Sequence, residues 1–273
     1  MIISIASGKG GTGKTTLAVN LALSDPGFKL LDCDVEEPNC HIFLDPEELG
    51  RREVTVKVPK IDDSLCDYCG RCADFCQYNA LAVSQDVVMK FPELCHSCGG
   101  CALVCPKDAI TEQENRVGEV VHARKGELKI SYGVLDTGQA MASPVIRQLK
   151  GEVKGDTLID APPGTSCATI EAVKDSDFCL LVTEPTPFGL YDLKLAVKML
   201  ETIGLDHAVV VNRDGIGDNK VQRYCEKKDI PILLRLPYDP QIARLYSEGI
   251  PFTQHLHEYR SILKNLLEDV RRR

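Results

Sequence analysis

Eight of the thirteen cysteines fall into two runs that share one spacing, C-x2-C-x2-C-x3-C. The first run comprises Cys66, Cys69, Cys72 and Cys76. The second comprises Cys95, Cys98, Cys101 and Cys105. This spacing is typical of chains that hold two iron–sulfur clusters, in which the fourth cysteine of one run binds the cluster of the other. We therefore expect two [4Fe–4S] ligand sets, one with Cys66, Cys69, Cys72 and Cys105 and the other with Cys76, Cys95, Cys98 and Cys101.

Zinc and disulfides are the alternatives for these cysteines. Four-thiolate zinc sites also use C-x2-C pairs, but they need only two close pairs and leave half of each run unexplained. Disulfides are less expected still. The chain opens on an apolar strand, without a signal peptide or a transmembrane run, which predicts the reducing cytoplasm, where thiols stay unpaired.

A second group of residues could bind phosphate. It follows a short apolar strand and precedes an apolar helix, and it consists of Gly8, Lys9, Gly10, Gly11, Thr12, Gly13, Lys14 and Thr15. In the motif G-x-x-x-x-G-K-[ST], backbone N–H groups surround the phosphates, the lysine reaches the terminal phosphates and the hydroxyl reaches magnesium. We assign these roles to Lys14 and Thr15, and the α-phosphate to Thr16. A merely flexible glycine turn would not explain two lysines among four glycines.

The elements that must position these groups are strands alternating with helices. Apolar strands are predicted at 1–5, 28–33, 156–160, 178–183, 208–212 and 231–234. Such alternation predicts an α/β fold, a doubly wound and mostly parallel sheet of the P-loop NTPase kind. The cysteine runs interrupt this pattern, so we expect an inserted iron–sulfur domain at 59–117 between two parts of an ATPase domain, 1–58 and 118–273. Forty residues from Cys66 to Cys105 are too few for an apolar core, so metal must supply folding energy.

A hairpin is expected after the insertion, with strands at 117–123 and 127–134. It joins the cysteine segment to the rest of the chain. It is either a mechanical coupler between the two parts or a structural ribbon.

The stretch from Lys9 to Thr15 resembles the deviant P-loop of the MinD/ParA/Mrp family, which includes the nitrogenase iron protein. The resemblance continues at matching intervals along most of the chain outside the cysteine segment. The matching positions are Asp32 and Asp34 in Leu30–Asp34, Asp160 in Thr157–Gly164, Asn212 and Arg213 after Val209–Val211, and Pro237 and Asp239 before Pro240. It implies a nucleotide-dependent homodimer in which Lys9 crosses to the partner's ATP.

The same resemblance gives the remaining expected roles. Asp34 would orient the attacking water, with Asp32 in the magnesium shell, although these two roles could be exchanged. Asp160 would hold a magnesium-bound water and sense the γ-phosphate. Asn212, with Arg213, Pro237 and Asp239, would bind the adenosine side of ATP.

The cysteine segment is similar to a two-cluster bacterial ferredoxin, because Cys76–Leu81 echoes Cys105–Ile110. One departure is Gln77, which stands where that family usually has proline and where the second run has Pro106. Of the other cysteines, Cys167 follows Asp160 by seven residues, as does a bridging cluster ligand of the nitrogenase iron protein. No counterpart of the second bridging ligand exists, so a shared third cluster is not expected.

Charge and hydropathy narrow the function further. The formal net charge of −8 argues against a nucleic-acid surface. An apolar stripe near the C-terminus favours a core helix over a membrane anchor. We expect an ATPase that couples a dimer switch to electron transfer, with a redox partner. The alternative is ATP-dependent assembly or delivery of iron–sulfur or other metal cofactors to an apo-metalloprotein. A positioning ATPase with purely structural clusters is the third possibility.

Overall fold

The computed structural model describes residues 1–273 as a nine-stranded sheet, helices on both of its faces, and a small two-stranded sheet. The strands are β1 Ile2–Ala6, β2 Lys29–Asp32, β3 Glu47–Ile61, β4 Leu81–Ser84, β5 Val87–Lys90, β6 Ile110–Lys125, β7 Leu128–Leu135, β8 Thr157–Asp160, β9 Phe178–Thr183, β10 His207–Asp214 and β11 Ile232–Pro237. The helices are α1 Lys14–Ser24, α2 Cys40–Leu44, α3 Arg71–Phe75, α4 Gly100–Leu103, α5 Ser143–Lys150, α6 Cys167–Val173, α7 Pro187–Ile203, α8 Lys220–Lys228, α9 Pro240–Ser247 and α10 Glu258–Arg271.

The large sheet has the strand order β11-β10-β9-β1-β8-β2-β7-β6-β3. The strands from β11 to β7 are parallel, and β6 and β3 are antiparallel to their neighbours. The predicted mostly parallel α/β sheet is therefore confirmed. The carboxyl ends of β1, β8 and β2 lie side by side at one edge of the sheet. Loops at this edge of a parallel sheet commonly bind ligands.

Alternation along the strands places one apolar core on each face of the sheet. Leu30 belongs to the core under α1 and α10, whereas Leu31 belongs to the core under α5, α6 and α7. Each core contains 26 buried residues. The predicted C-terminal stripe packs as expected, because Leu263 and Leu267 of α10 are fully buried. No helix combines the length and apolar character needed to cross a membrane.

The end of β3 and the start of β6 form a two-stranded arm that extends beyond the rest of the sheet. Gly118 of β6 lies opposite Leu135, the last residue of β7, so 110–117 pairs with β3 alone. These eight residues correspond to about 26 Å of strand. Because β7 runs parallel to β2, the arm extends past the same edge that carries the loops after β1, β8 and β2.

Both cysteine runs lie at the end of this arm, in the segment 62–109 that connects β3 to β6. The segment contains α3, the β4–β5 hairpin, a 3-10 turn at Pro92–Leu94 and α4. We call it the cysteine unit. Its apolar cluster, which includes Ile110 at the start of β6, has only four buried residues: Cys72, Leu81, Val88 and Ile110. So small a cluster provides little hydrophobic stabilisation for the unit.

Candidate functional site

The loop between β1 and α1 needs glycine for both conformation and space. Gly11 and Gly13 have φ of 77° and 92°, a region that disfavours side chains. A Cβ on Gly13 would lie 2.2 Å from Nδ2 of Asn212. Asn212 in turn donates from Nδ2 to the carbonyl oxygen of Thr12 at 2.8 Å. The end of β10 thus holds the phosphate-binding loop in place.

The predicted phosphate and magnesium groups meet at Asp160, the last residue of β8. Lys14 Nζ lies 3.0 Å from Asp160 Oδ1, and the Thr15 hydroxyl donates to Asp160 Oδ2 at 2.6 Å. Burial by itself lowers the pKa of Lys14, but the charges of Asp160, Asp34 and Asp32 outweigh it, so that its pKa is raised. The ammonium therefore stays charged and ready to receive phosphate oxygens.

The two aspartates after β2 have different surroundings. Asp32 is fully buried, and its carboxylate accepts backbone N–H bonds from Asp34, Asn39 and Cys40. Burial, followed by the charge of Asp160, raises the pKa of Asp32 to about 7. Asp34 has an Oδ2 atom 3.9 Å from Lys14 Nζ, and burial raises its pKa to about 6. Asp32 thus fixes the loop, while Asp34 faces the lysine.

A cavity of about 450 Å³ opens in front of these groups. The predicted residues that line it are Gly10, Gly11, Thr12, Gly13, Lys14, Thr15, Thr16, Asp34, Asn212, Arg213, Pro237 and Asp239. Gly8, Lys9, Asp32 and Asp160 do not line it. Asp160 reaches the cavity through its bonds to Lys14 and Thr15, whereas a place for Asp32 in a magnesium shell stays a prediction.

The sequence did not reveal the apolar wall of this cavity. Tyr238, Ile242, Tyr246 and Phe252 line it beside Asn212; Tyr238 follows β11, Ile242 and Tyr246 lie in α9, and Phe252 begins a 3-10 turn. A wall of this kind suits the flat face of a base. Helical periodicity alone would assign these side chains to core packing, so only the spatial arrangement shows their position.

Glu184 is a second feature that the sequence analysis missed. It follows β9 and is buried, with Oε2 lying 3.8 Å from Lys9 Nζ. Its Oε1 accepts a hydrogen bond from Arg213. An acidic residue at a strand end is common in turns, so its type and position gave no signal.

The cysteine runs line two cavities, and each cavity takes one cysteine from the other run. The first, of about 20 Å³, is lined by Cys66, Cys69, Cys72 and Cys105. The second, of about 190 Å³, is lined by Cys76, Cys95, Cys98 and Cys101. The structure thus groups the eight cysteines as the crossed sets. Pro106 lines the smaller cavity and Gln77 the larger one.

The two halves of the cysteine unit repeat their backbone geometry. Left-handed residues recur at matching positions, with φ of 56° at Tyr68 and 54° at Ser97, and again 54° at Asn79 and 50° at Asp108. A short helix follows Gly70 and Gly99 in turn. The fourth cysteine of each run accepts an N–H bond at 3.3 Å, from Ala80 to Cys76 Sγ and from Ala109 to Cys105 Sγ.

All thirteen cysteines are free thiols. Cys33, Cys40, Cys179 and Cys225 are buried, whereas Cys167 is exposed at the start of α6. The only group of three or more metal-binding side chains with ligand atoms within 4.8 Å of one another is Asp32, Cys40 and Asp160. No three cysteine sulfurs therefore lie that close together.

The sequence of this chain matches a known protein family. Residues 3–252 match the CobQ/CobB/MinD/ParA nucleotide binding domain. An uncharacterized protein of Methanocaldococcus jannaschii, MJ0579, is 30% identical over 281 residues, covering 99% of this chain and 96% of its own. An iron-sulfur cluster carrier protein of Pyrococcus abyssi is 25% identical over 272 residues, covering 91% of this chain and 78% of its own.

Among solved structures, the septum site-determining protein MinD of Pyrococcus horikoshii, complexed with Mg-ADP, superposes with a TM-score of 0.57. The two chains are 24% identical, and the match covers 98% of this chain and 95% of that one. This likeness concerns the fold. Since the family match extends over most of the sequence, the chain belongs to the CobQ/CobB/MinD/ParA nucleotide-binding family.

Proposed function

We propose that this chain binds and hydrolyses ATP and couples a nucleotide-driven dimer switch to electron transfer through two [4Fe–4S] clusters. One observation carries the proposal. The nucleotide cavity and the arm that bears the cysteine unit lie at the same edge of one sheet, and β7 pairs with both β2 and β6. A movement after β2 can therefore reach the arm through two strand neighbours.

Hydrolysis needs charge neutralisation and a positioned water more than it needs covalent chemistry. Lys14 would bind the β- and γ-phosphates, which draws its ammonium away from Asp160 Oδ1, now 3.0 Å distant. Asp160 would then be free to hold a water of the magnesium ion carried by Thr15. Asp34, beside the lysine and at the cavity wall, would orient the attacking water. Water attacks the γ-phosphorus, and ADP and phosphate leave.

The switch begins at the Lys14–Asp160 pair. Asp160 ends β8, and β8 pairs with β2 at Asp32. The carboxylate of Asp32 gathers the N–H groups of the loop before α2. His41 of α2 stacks on Tyr132 of β7 with ring centroids 4.7 Å apart. A shift at the phosphates thus has a continuous set of contacts toward β7 and the arm.

The inserted unit at 59–117 would hold the clusters, and its cysteines fit that cofactor better than zinc. A tetrahedral zinc ion binds four thiolates at about 2.3 Å each, so its sulfurs lie about 4 Å apart. The cysteine sulfurs do not approach one another so closely in groups of three. In a four-iron cluster each thiolate binds a different iron, which suits a wider arrangement. When bound, such a cluster supplies a one-electron redox centre.

The cysteine unit provides two features that suit this cofactor. The N–H groups of Ala80 and Ala109 point at sulfurs of Cys76 and Cys105, and hydrogen bonds to sulfur help to set the potential of iron–sulfur sites. The duplication of the half-site also favours redox work, because one metal would suffice to fold so small a unit.

Delivery of iron–sulfur clusters is the second candidate function. The relatives of Pyrococcus abyssi and Pyrococcus horikoshii are named iron-sulfur cluster carrier proteins, at 25% and 26% identity over 272 residues. In this role the clusters are cargo, and an apo-metalloprotein is the partner. The absence of a C-x-x-C pair from the C-terminal half counts against a scaffold of the kind that assembles clusters there.

An anaerobic redox titration with electron paramagnetic resonance tests the proposal. The iron-loaded protein is titrated without nucleotide, with ADP, and with a non-hydrolysable ATP analogue. We expect two four-iron signals whose potentials shift with nucleotide by on the order of tens of millivolts. Potentials that ignore nucleotide, together with ATP-dependent iron transfer to an apo-ferredoxin, would favour delivery. A protein that takes up no iron would contradict both candidates.

The dimer switch has its own test in Lys9→Ala. If Lys9 neutralises charge on the partner's ATP, the variant binds ATP but hydrolyses it about 10³-fold more slowly, as when a finger residue is lost. Sedimentation with the ATP analogue should show dimers for the wild type and monomers for the variant. If the variant hydrolyses ATP and dimerises normally, Lys9 does not act on the partner's ATP.

A further inference from the structure

A buried carboxylate outside the phosphate machinery pairs with two cations, one from the loop after β1 and one from the end of β10. Glu184 Oε2 lies 3.8 Å from Lys9 Nζ, and Glu184 Oε1 accepts a hydrogen bond from Arg213. The Glu184 side chain is only 8% exposed, whereas that of Lys9 is 34% exposed. None of the proposed phosphate, magnesium or water contacts uses this carboxylate.

The register of the sheet brings the three residues together. Ala6 of β1 lies opposite Leu181 of β9, and Thr183 of β9 lies opposite Val211 of β10. Lys9 and Glu184 each come three residues after their paired strand positions, Ala6 and Leu181. Arg213 comes two residues after Val211. The pairing of these parallel strands therefore brings the three charged residues to the same edge of the sheet.

The backbone of Glu184 has little freedom to move. A Cβ on Gly189 would lie 2.3 Å from the Glu184 carbonyl oxygen, and a Cβ on Gly217 would lie 1.5 Å from that of Pro185. Thr183 is also fixed, because its hydroxyl donates to the carbonyl oxygen of Gly189 at 3.0 Å. If the ion pair breaks, the flexible Lys9 side chain must be the partner that leaves.

We propose that Glu184 is a latch that retains Lys9 within its own subunit until the ATP-bound dimer forms. The inference rests on the proposed function, in which Lys9 acts across the dimer. Glu184 is a positioning residue, since it acts through Lys9 and does not line the nucleotide cavity. Arg213 stays paired with Glu184 when Lys9 departs, so release leaves no unpaired buried carboxylate. The latch therefore delays dimer formation without preventing it.

Acetylation of Lys9 measures the latch directly and needs no dimer. Full-length, iron-loaded, nucleotide-free protein is treated with an amine-reactive acetyl ester, and the rate at each lysine is followed by mass spectrometry. Glu184→Gln keeps the shape but removes the charge, and should speed acetylation of Lys9 about threefold, as expected for loss of a partly exposed ion pair. Lys220, in an exposed pair with Asp218, is the internal reference.

The matched control is Asp214→Asn, which breaks the neighbouring pair of Asp214 with Arg235 near the same edge. It should leave the Lys9 rate unchanged. Glu184→Asp retains the charge with a shorter reach and should give a smaller increase, and it replaces Glu184→Gln if that variant fails to fold. An unchanged Lys9 rate in the Glu184 variants, or an equal rise in the control, would overturn the latch.

Dimer formation tests the consequence. Light scattering during titration with the ATP analogue should place the midpoint for Glu184→Gln at about threefold lower analogue concentration than for wild type, matching the gain in free Lys9. Coincident midpoints would overturn the latch as a brake on the dimer. A wild type that stays monomeric at saturating analogue would instead contradict the proposed dimer switch, while the acetylation rates would still report whether Glu184 holds Lys9.

Discussion

The nucleotide cavity and the cysteine unit both place their binding groups on glycine-bearing turns before helices, but they differ in what stands behind those turns. The strands under the nucleotide cavity separate two cores of 26 buried residues each. The cysteine unit has a cluster of four. Packing on both sides therefore supports the first site, whereas we expect the order of the second to depend on bound metal.

The polar groups show the same difference. Around the phosphate-binding loop, Lys14 and Thr15 already bond to Asp160, and Asp32 accepts N–H bonds from the adjoining loop. In the cysteine unit the exposed thiols of Cys69 and Cys98 stand at the surface. In the proposed function, preformed ion pairs are exchanged when a nucleotide binds, while metal brings the thiols together. A mutation at one site should therefore leave the folding and ligand content of the other unchanged, although in the proposed function nucleotide still shifts the cluster potentials.

Loss of a cysteine ligand should have the largest effect. Cys69→Ser is expected to remove at least half of about eight irons per chain and to abolish amide protection across 62–109, because metal supplies that unit's folding energy. Nucleotide affinity should stay within about twofold, as distant sites behave additively. Cys167→Ser, at another exposed cysteine, is the control and should retain all iron. Hydrogen exchange measures the amide protection, and iron analysis measures the iron content. Protection that persists without iron would show that the unit folds on its own.

Lys14→Ala should produce the converse result. Hydrolysis should fall by about 10²- to 10³-fold, since a preorganised positive charge is lost. The nucleotide-free protein should lose about 3 kcal/mol of unfolding free energy, because the buried Asp160 carboxylate loses its partner. Iron content and the paramagnetic signals should not change.

Lys220→Ala is the control for Lys14→Ala, since its pair with Asp218 is exposed and should contribute little to the unfolding free energy. Thermal unfolding and steady-state hydrolysis distinguish the two variants. Iron lost together with hydrolysis in Lys14→Ala would mean that the sites do not respond separately.

The parallel strands could be predicted from sequence because they are short apolar runs. Those predicted at 178–183 and 208–212 correspond to Phe178–Thr183 and His207–Asp214. Glu47–Ile61 was not predicted. It is rich in charge, contains Pro59, and pairs with a strand that begins 49 residues after it ends. Val54, Val56 and Val58 alternate with polar residues, but they cover only part of the strand, and pairing over that distance leaves no turn signal beside it.

The candidate sites divide in the same way. The spacing of glycines, lysines and cysteines predicted residues that line the same cavities, because each loop or cysteine run is a short continuous stretch of sequence. Glu184, Tyr238 and Tyr246 were missed because their positions depend on how distant strands and helices align. The bounds predicted for an inserted domain, 59 and 117, fall within β3 and β6, and an inserted domain stays a prediction.

Gly13→Ala tests how rigidly the nucleotide cavity is held. The alanine would need a φ of 92°, and its methyl group would lie 2.2 Å from Asn212 Nδ2. The hydrogen bond from Asn212 to the Thr12 carbonyl oxygen keeps this amide in place. Strain of about 1–3 kcal/mol is expected, with nucleotide affinity at least tenfold lower. Gly11→Ala shares a positive φ of 77° but meets nothing within 4 Å, so it should lose less. Equal losses, measured by titration with a fluorescent ADP, would show that conformation rather than Asn212 decides the effect.

Gly100→Ala makes the matching change in the cysteine unit and should have the smallest effect. Its methyl group would lie 2.1 Å from Cε1 of Phe75, a ring that is 45% exposed and can turn into solvent. The gain in helix propensity, about 1 kcal/mol, offsets the lost ring contact. Iron content and hydrogen exchange across 62–109 should match those of wild type. A loss of iron as large as the loss of nucleotide affinity in Gly13→Ala would mean that the cysteine unit is as rigidly packed as the nucleotide cavity, because a ring at its surface could not yield.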